Sequence, residues 1–248
     1  NGLPTERLVE KLNNVRSKEM KRSEFINLCL ETLKDVRPKF IQDWKNLGIS
    51  CDYDLYYSTI DENSRKISQR NFLELFKKKL VYQKEFPTLW CPECQTAIAQ
   101  AELEDKESQT NFVTLKFTVE GKELLIATTR PELLGACVAV FVNPQDNRYK
   151  NLKGKKAKVP LFGFEVPILF DDSASIDKGT GAMMICSYGD KFDVDAISRY
   201  KLIPRIIFDR QGKIKKGIYT GLRIKQARTK IVEDLEKKNL VVEKKQIT

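Results

Sequence analysis

Apolar residues recur at two different periods along this chain, and the change falls near residue 90. Before it, Leu8, Val9 and Leu12 share one helical face. Phe25, Ile26, Leu28, Cys29, Leu33, Phe40, Ile41 and Trp44 keep the same three-to-four-residue spacing through one or two more helices, ending near Gly48. Pro38 has no amide hydrogen and is expected to break or kink that stretch. A further helix should open at Asp61, whose carboxylate suits an N-cap, and carry Ile67, Phe72, Leu73, Leu75, Phe76 and Leu80. The aromatic loop from Asp52 to Tyr57 reads as packing between helices. Beyond residue 90 the period shortens to two. Val113, Leu115, Phe117 and Val119 alternate with polar residues, and a second strand at 124–128 follows across a Glu120–Gly121 turn. Short apolar runs at 138–142, 156–161, 164–170, 182–186 and 205–208, bounded by Gly, Pro, Asp and Asn, predict five more strands. Helices are expected at 193–200 and 224–239, the latter with Ala227, Ile231, Val232 and Leu235 on one face.

The pattern predicts an α+β chain: a helical segment over residues 1–95, then a mainly β, barrel-like domain with a few helices over 96–248. A length of 248 residues accommodates one large or two ordinary domains with real cores. The balance of 41% hydrophobic to 31% charged residues is that of a globular protein. No apolar run approaches the roughly 20 residues that span a bilayer, so no membrane partner is expected. The opening residues, Asn1 to Glu6, contain neither an initiator Met nor the basic and apolar regions of a signal peptide, and the chain reads as a piece of something larger.

Charge and cysteine usage narrow the picture. Forty-four Lys and Arg against thirty-four acidic residues leave a net charge of +10, which favours a polyanionic partner. An ordinary Lys-rich solvated surface explains the same number almost as well. The Lys pairs and triplets are scattered, which suits a broad electrostatic face better than a sequence-reading element. Of six cysteines, Cys29, Cys51, Cys137 and Cys186 sit singly in apolar surroundings and read as small buried hydrophobes. Cys91-Pro92-Glu93-Cys94 resembles half of a zinc ribbon, in which a tight turn brings two thiolates to one tetrahedral ion. A thioredoxin-like redox pair is less favoured, because an extended stretch rather than a helix follows. No disulfide framework is visible, and a reducing cytoplasm is expected. The chain has no histidine, which removes Ser-His-Asp and Cys-His catalysis and the common imidazole-bound catalytic zinc. Neither a phosphate-cradling loop nor a dinucleotide fingerprint is present, so any chemistry must rest on carboxylates, hydroxyls, backbone groups and bound water.

Five ordered motifs carry a family resemblance. Ala127-Thr128-Thr129-Arg130-Pro131-Glu132, the run 138–149, the run 154–161, the run 166–169 and Gly179-Thr180-Gly181-Ala182 resemble, in order and spacing, the editing domain of class I aminoacyl-tRNA synthetases. Within that group the valyl branch, of archaeal-like type, is the most similar. Asn1 to Glu6, Tyr57 to Asp61 and Trp90 to Ala101 are similar to the stretch leading from the synthetase core into this inserted domain, so the resemblance spans nearly the whole chain. Both ATP-binding signatures of the family are missing, which implies that ATP serves only the parent protein and that the chain is an excised fragment. A second zinc pair would lie beyond Thr248, so zinc at Cys91 and Cys94 also belongs to the parent. Editing itself needs no cofactor.

What the resemblance implies is hydrolysis of threonyl-tRNA(Val), the acceptor end of tRNA(Val) carrying mischarged threonine, by a monomeric piece. Threonine and valine are nearly isosteric, and a hydrophobic activation pocket rejects threonine by only about a hundredfold, a figure established for valyl enzymes rather than read from this chain. A second site must then accept the hydroxyl and position water against an already reactive ester. By family position, Asp193 is the candidate anchor for the α-ammonium. Thr128 and Thr129 offer hydroxyls to the terminal adenosine or the attacking water, and Arg130 can reach a carbonyl, hydroxyl or phosphate. The chain departs from the family at Leu133, where a third Thr is common, and at Met184 and Cys186, where bacterial valyl enzymes place Lys and Thr. Recognition of the hydroxyl is thereby left among Asp190, Ser187, Arg130 and backbone groups. Taken singly, Thr128 and Thr129 are a strand end, Arg130 to Glu132 a solvated turn, and Asp190 a helix cap with Asp193 in its first turn. Two other readings stand beside editing: a basic tRNA-binding fragment without activity of its own, and the editing domain of an isoleucyl or leucyl enzyme.

Overall fold

The computed structural model describes residues 2–104 and 106–247, so expectations attached to Asn1 and Thr248 fall outside the described residues. Two compact units result, Asn1–Glu85 and Phe86–Thr248.

The first unit is helical: α1 (Leu3–Asn13), α2 (Arg22–Asn46) and α3 (Glu62–Lys77). Asp61 caps α3 as its sequence position predicts, its Oδ1 accepting from the Ser64 amide at 2.7 Å. Pro38 does not end α2, a helix of 25 residues that continues past it to Asn46. One missing backbone donor is a local loss, and the turns on either side keep their own hydrogen bonds. The aromatic loop is also not interhelical packing: Leu55, Tyr56 and Tyr57 are exposed, with Tyr53 half-buried and donating its hydroxyl to the Ile49 carbonyl at 2.8 Å. Among the described residues of this unit, only Val9 and Phe25 are buried apolar side chains. Cys51 is exposed and Cys29 half-buried, so the reading of both as buried hydrophobes does not hold.

The second unit begins with a short antiparallel pair, β1 (Trp90–Cys91) and β2 (Thr96–Ala97), which holds the Cys91–Cys94 turn. This pair is tied to later residues of the same unit: the Trp90 indole donates to the Arg210 carbonyl at 2.8 Å, and Arg223 meets Glu93 at 3.1 Å.

Seven further strands form one sheet: β3 (Thr110–Val119), β4 (Lys122–Thr128), β5 (Cys137–Val142), β6 (Lys156–Lys158), β7 (Glu165–Phe170), β8 (Ala182–Cys186) and β9 (Val241–Ile247). Their order is β4-β3-β6-β7-β5-β8, with β9 also paired to β3. The β3–β4 hairpin turns at Glu120 (φ 49°) and Gly121 (φ 82°), two left-handed residues whose twist matches that of the strands they join. The end strands β4 and β8 come to lie beside each other, so the sheet curls into a half-barrel.

β5 is buried at all six positions, because both of its faces are covered. Cys137, Val140 and Val142 join the core with Leu115, Phe117 and the inward stripe Ala227, Ile231 and Leu235 of α5 (Ile224–Lys237). Ala139 and Phe141 face the other way, onto Ala196 and Ile197 of α4 (Lys191–Tyr200). Two strand expectations need correction. The run 156–161 pairs only as far as Lys158, since Leu161 (φ 65°) and Gly163 (φ 74°) turn the backbone. The run 205–208 forms no strand of the sheet and contributes only a bridge from Phe208 to Ile214. β9, by contrast, was not anticipated, because five of its seven residues are exposed and its apolar alternation is weak.

Candidate functional site

β4 delivers the Thr-Thr-Arg-Pro-Glu motif to one end of the sheet. Thr128 is the last residue of the ladder, paired with Val113, and its Oγ1 accepts from the Arg130 amide at 3.0 Å. Thr129 is half-buried, and its hydroxyl makes no hydrogen bond among the described residues. The chain then tightens into a 3-10 turn over Pro131–Ala136, every residue of which is buried. Glu132 is therefore not part of a solvated turn: it is 0% exposed.

That buried carboxylate is held by two arginines. Arg228, on α5, makes a two-pronged contact, with Nε to Oε2 at 2.8 Å and Nη2 to Oε1 at 2.7 Å. Arg130 adds Nε to Oε1 at 3.3 Å and, with Nη1, donates to the carbonyl of Gly189. Arg130 thus joins the strand-end wall to the loop between β8 and α4.

That loop carries the second wall. Asp190 caps α4, its Oδ1 accepting from the Asp193 amide at 2.8 Å, so the structural reading of Asp190 holds while its side chain stays exposed. Asp193 is 7% exposed; its Oδ1 accepts from the Cys186 amide at 3.0 Å. Oδ2 has no side-chain partner among the described residues, and the backbone of Asp190 also faces the carboxylate. Gly189 leaves the room that oxygen occupies, since a methyl group there would collide with Oδ2 and press on Leu133. Burial lifts the Asp193 carboxyl from an ordinary 3.8 to about 6, with the charge of Asp190 adding to the rise and the backbone hydrogen bonds from Cys186 and Asp190, together with Arg130, opposing it. A carboxylate titrating near neutrality can accept a proton from water or hold an ammonium group.

The remaining expected residues divide. Leu133 and Cys186 belong to the cluster: the Cys186 thiol donates to the Leu133 carbonyl at 3.5 Å, and both side chains are buried. Burial pushes the Cys186 thiol well above its usual range, with Cys137 and Asp193 adding to it, and raises Cys137 likewise, so neither is an activated nucleophile. Met184 is half-buried in β8, paired with Val140 and packed on the larger core. Ser187 Oγ accepts from the Arg205 amide at 2.6 Å. Glu132 and Arg228 were missed as interacting residues. An acid within Pro131-Glu132-Leu133-Leu134 was a signal for a buried carboxylate, whereas nothing local to Arg228 points to a partner 96 residues away.

Two clefts flank this network without including Thr128 or Asp193. One, of about 470 Å³, lies between Glu132, Phe162, Phe164 and Arg205; the other, of about 360 Å³, lies between Pro131, Arg228 and β9. At the Cys91–Cys94 turn, the Cys94 amide donates to Cys91 Sγ at 3.3 Å. No group of three His, Cys, Asp or Glu side chains able to hold a metal is found among the described residues, so these two thiols do not complete a tetrahedral zinc site there.

Comparison with known proteins gives the site its context. The family model of class I tRNA synthetases (I, L, M and V) matches residues 1–246. A valine–tRNA ligase of Thermoplasma volcanium is 46% identical over 249 residues, covering 100% of this chain and 32% of that protein. One from Rickettsia conorii is 46% identical over 253 residues, covering 100% of this chain and 31% of its own length. The chain therefore spans about a third of the length of these relatives. Among solved structures, the ternary complex of Agrobacterium radiobacter K84 agnB2 LeuRS with tRNA and LeuAMS superposes with a TM-score of 0.47 at 17% identity, covering 99% of this chain and 38% of its own. With the family model running from the first residue almost to the last, the chain belongs to the class I tRNA synthetases of the I, L, M and V group.

Proposed function

We propose that this chain is the editing portion of a valine–tRNA ligase and hydrolyses the ester that joins threonine to the 3′ end of tRNA(Val). The observation that carries this reading is the bond from Arg130 to Gly189. It sets the Thr-Thr-Arg-Pro-Glu strand end against the loop of Asp193, a carboxylate raised to about 6 with Oδ1 fixed by the Cys186 amide. The valine–tRNA ligases that match the whole chain support the same assignment.

In this reading Asp193 Oδ2 anchors the α-ammonium of the threonyl group or takes a proton from the attacking water. The Thr129 hydroxyl, which has no protein partner among the described residues, faces the adenosine or the water. Arg130 ties the two walls rather than meeting the substrate directly, since its guanidinium is already engaged by Glu132 and Gly189. Hydrolysis uses no cofactor; zinc at Cys91 and Cys94, ATP and amino-acid activation belong to the longer parent protein, which works in the cytoplasm. No helix among the described residues is long and apolar enough to cross a membrane.

A deacylation assay tests the reading. Wild-type chain should release threonine from threonyl-tRNA(Val) well above the buffer rate and leave valyl-tRNA(Val) largely intact, and Asp193→Ala should lower the first rate by about 100-fold or more. Equal, slow release by both proteins would overturn hydrolysis. The net charge of +10 would then favour a tRNA-binding piece without activity of its own.

A further inference from the structure

We propose that Arg228 of α5 is a positioning residue for the hydrolytic site, acting through Glu132 on the arm with which Arg130 holds the Asp193 loop. The inference rests on the function proposed above, and its geometric content can be tested without activity.

The argument follows the bonds outward from the buried carboxylate. A planar carboxylate gripped by two parallel N–H donors of one guanidinium has its plane and rotation set by that grip. Arg228 supplies it, at 2.7 and 2.8 Å, from a helix anchored by Ile231 and Leu235. What Glu132 then offers Arg130 is the remaining side of Oε1, and Arg130 Nε takes it at 3.3 Å. Because guanidinium is rigid and planar, fixing Nε fixes where Nη1 lies. Nη1 meets the carbonyl of Gly189, the residue immediately before the cap of α4, and Asp193 stands in the first turn of that helix.

Without the Arg228 fork, Glu132 is a fully buried charge with one remaining cation near it. Arg130 gains more by turning both of its prongs onto that carboxylate than by keeping one on a neutral carbonyl. The walls would then lose their tie although every residue that faces substrate is unchanged. A lysine at 228 keeps the charge but is a point donor and cannot set the plane of the carboxylate.

Arg228→Lys is therefore the informative variant, compared in the 248-residue chain with Ile231→Val, which loosens the same helix without touching Glu132. Two quantities are read: kcat for threonine release from threonyl-tRNA(Val), and the titration midpoint of the Asp193 carboxyl carbon by NMR. The groups that face Asp193 are Asp190 at the start of its own helix, Cys186 of β8, Cys137 of β5 and Arg130, and of these only Arg130 is released by the substitution. Arg228→Lys should lower kcat about tenfold at unchanged folded fraction and move the Asp193 midpoint upward, while Ile231→Val leaves both near wild type. Should Arg228→Lys not fold, Glu132→Gln takes its place with the opposite sign: with no carboxylate to draw Arg130 off Gly189 and one negative charge fewer nearby, the Asp193 midpoint should move downward. An Asp193 midpoint and kcat equal to those of wild type would overturn the positioning role while leaving hydrolysis standing. Wild type that fails to deacylate, with the midpoint still displaced in Arg228→Lys, would overturn the functional reading and leave the linkage intact.

Discussion

Asp193 departs from the usual behaviour of a folded-state carboxylate, and the sign of its effect on stability follows from that. Most native carboxylates are stabilised in their charged form; this one is buried, and its pKa is raised from 3.8 to about 6. Between those two values the folded state keeps a proton that the unfolded chain has already released. Asp193 therefore contributes less to stability as pH rises from about 4 to about 6, and above that interval the full penalty of its buried charge is present, at most about 3 kcal/mol. Asp193→Asn should match wild type near pH 4 and exceed it at pH 7.5 by about 1–3 kcal/mol in urea unfolding, while abolishing deacylation. A stability difference that does not change with pH would remove burial as the cause of the shift. Glu132 lies deeper than Asp193, and two guanidinium groups share its charge.

At the scale of elements, the proposed site is assembled from pieces that each belong to a different part of the core. β4 places the Thr-Thr-Arg motif, β8 and α4 place Asp193, and α5 reaches across from the far end of the chain to hold Glu132. α5 can do so because Ala227, Ile231 and Leu235, four residues apart, all face inward and are fully buried, leaving Arg228 at the edge of that stripe. Ile231→Ala should cost about 2–4 kcal/mol, read as a lowered urea midpoint, because it opens a cavity where α5 meets the large core. A loss below about 1 kcal/mol would mean that α5 is not held by this packing. β9 completes the same region by pairing with β3 along Thr110–Leu115, and its exposed Glu and Lys residues keep that outer strand soluble.

At the scale of the whole molecule, charge is the property that bears on partners. The excess of ten positive charges is spread in pairs and triplets of lysine, which suits attraction to a polyanion without sequence reading. If the chain binds tRNA through two to four phosphates, raising salt from about 50 to 200 mM should weaken binding by roughly 10- to 100-fold, as followed by filter binding or anisotropy. Affinity indifferent to salt would rule out this electrostatic contribution.

Local pattern was enough to assign the class of each half and most of the element positions, because helical and strand periods are properties of roughly five to fifteen neighbouring residues. The hairpin at Glu120–Gly121, the cap at Asp61 and the buried stripe of α5 were legible for that reason. Ordered motifs likewise pointed to the family, since spacing along the chain is sequence information. Tertiary structure alone decided that β9 closes onto β3, that the 205–208 run stays out of the sheet, and that Pro38 is carried within a continuous helix. It also decided that Glu132 is an internal anion held from a helix 96 residues away, and that Arg130 spends its donors on joining two walls. The physical reason is the same in each case: burial and pairing depend on what the fold brings alongside a residue, and a charge or an edge strand carries no local mark of the partner that will satisfy it.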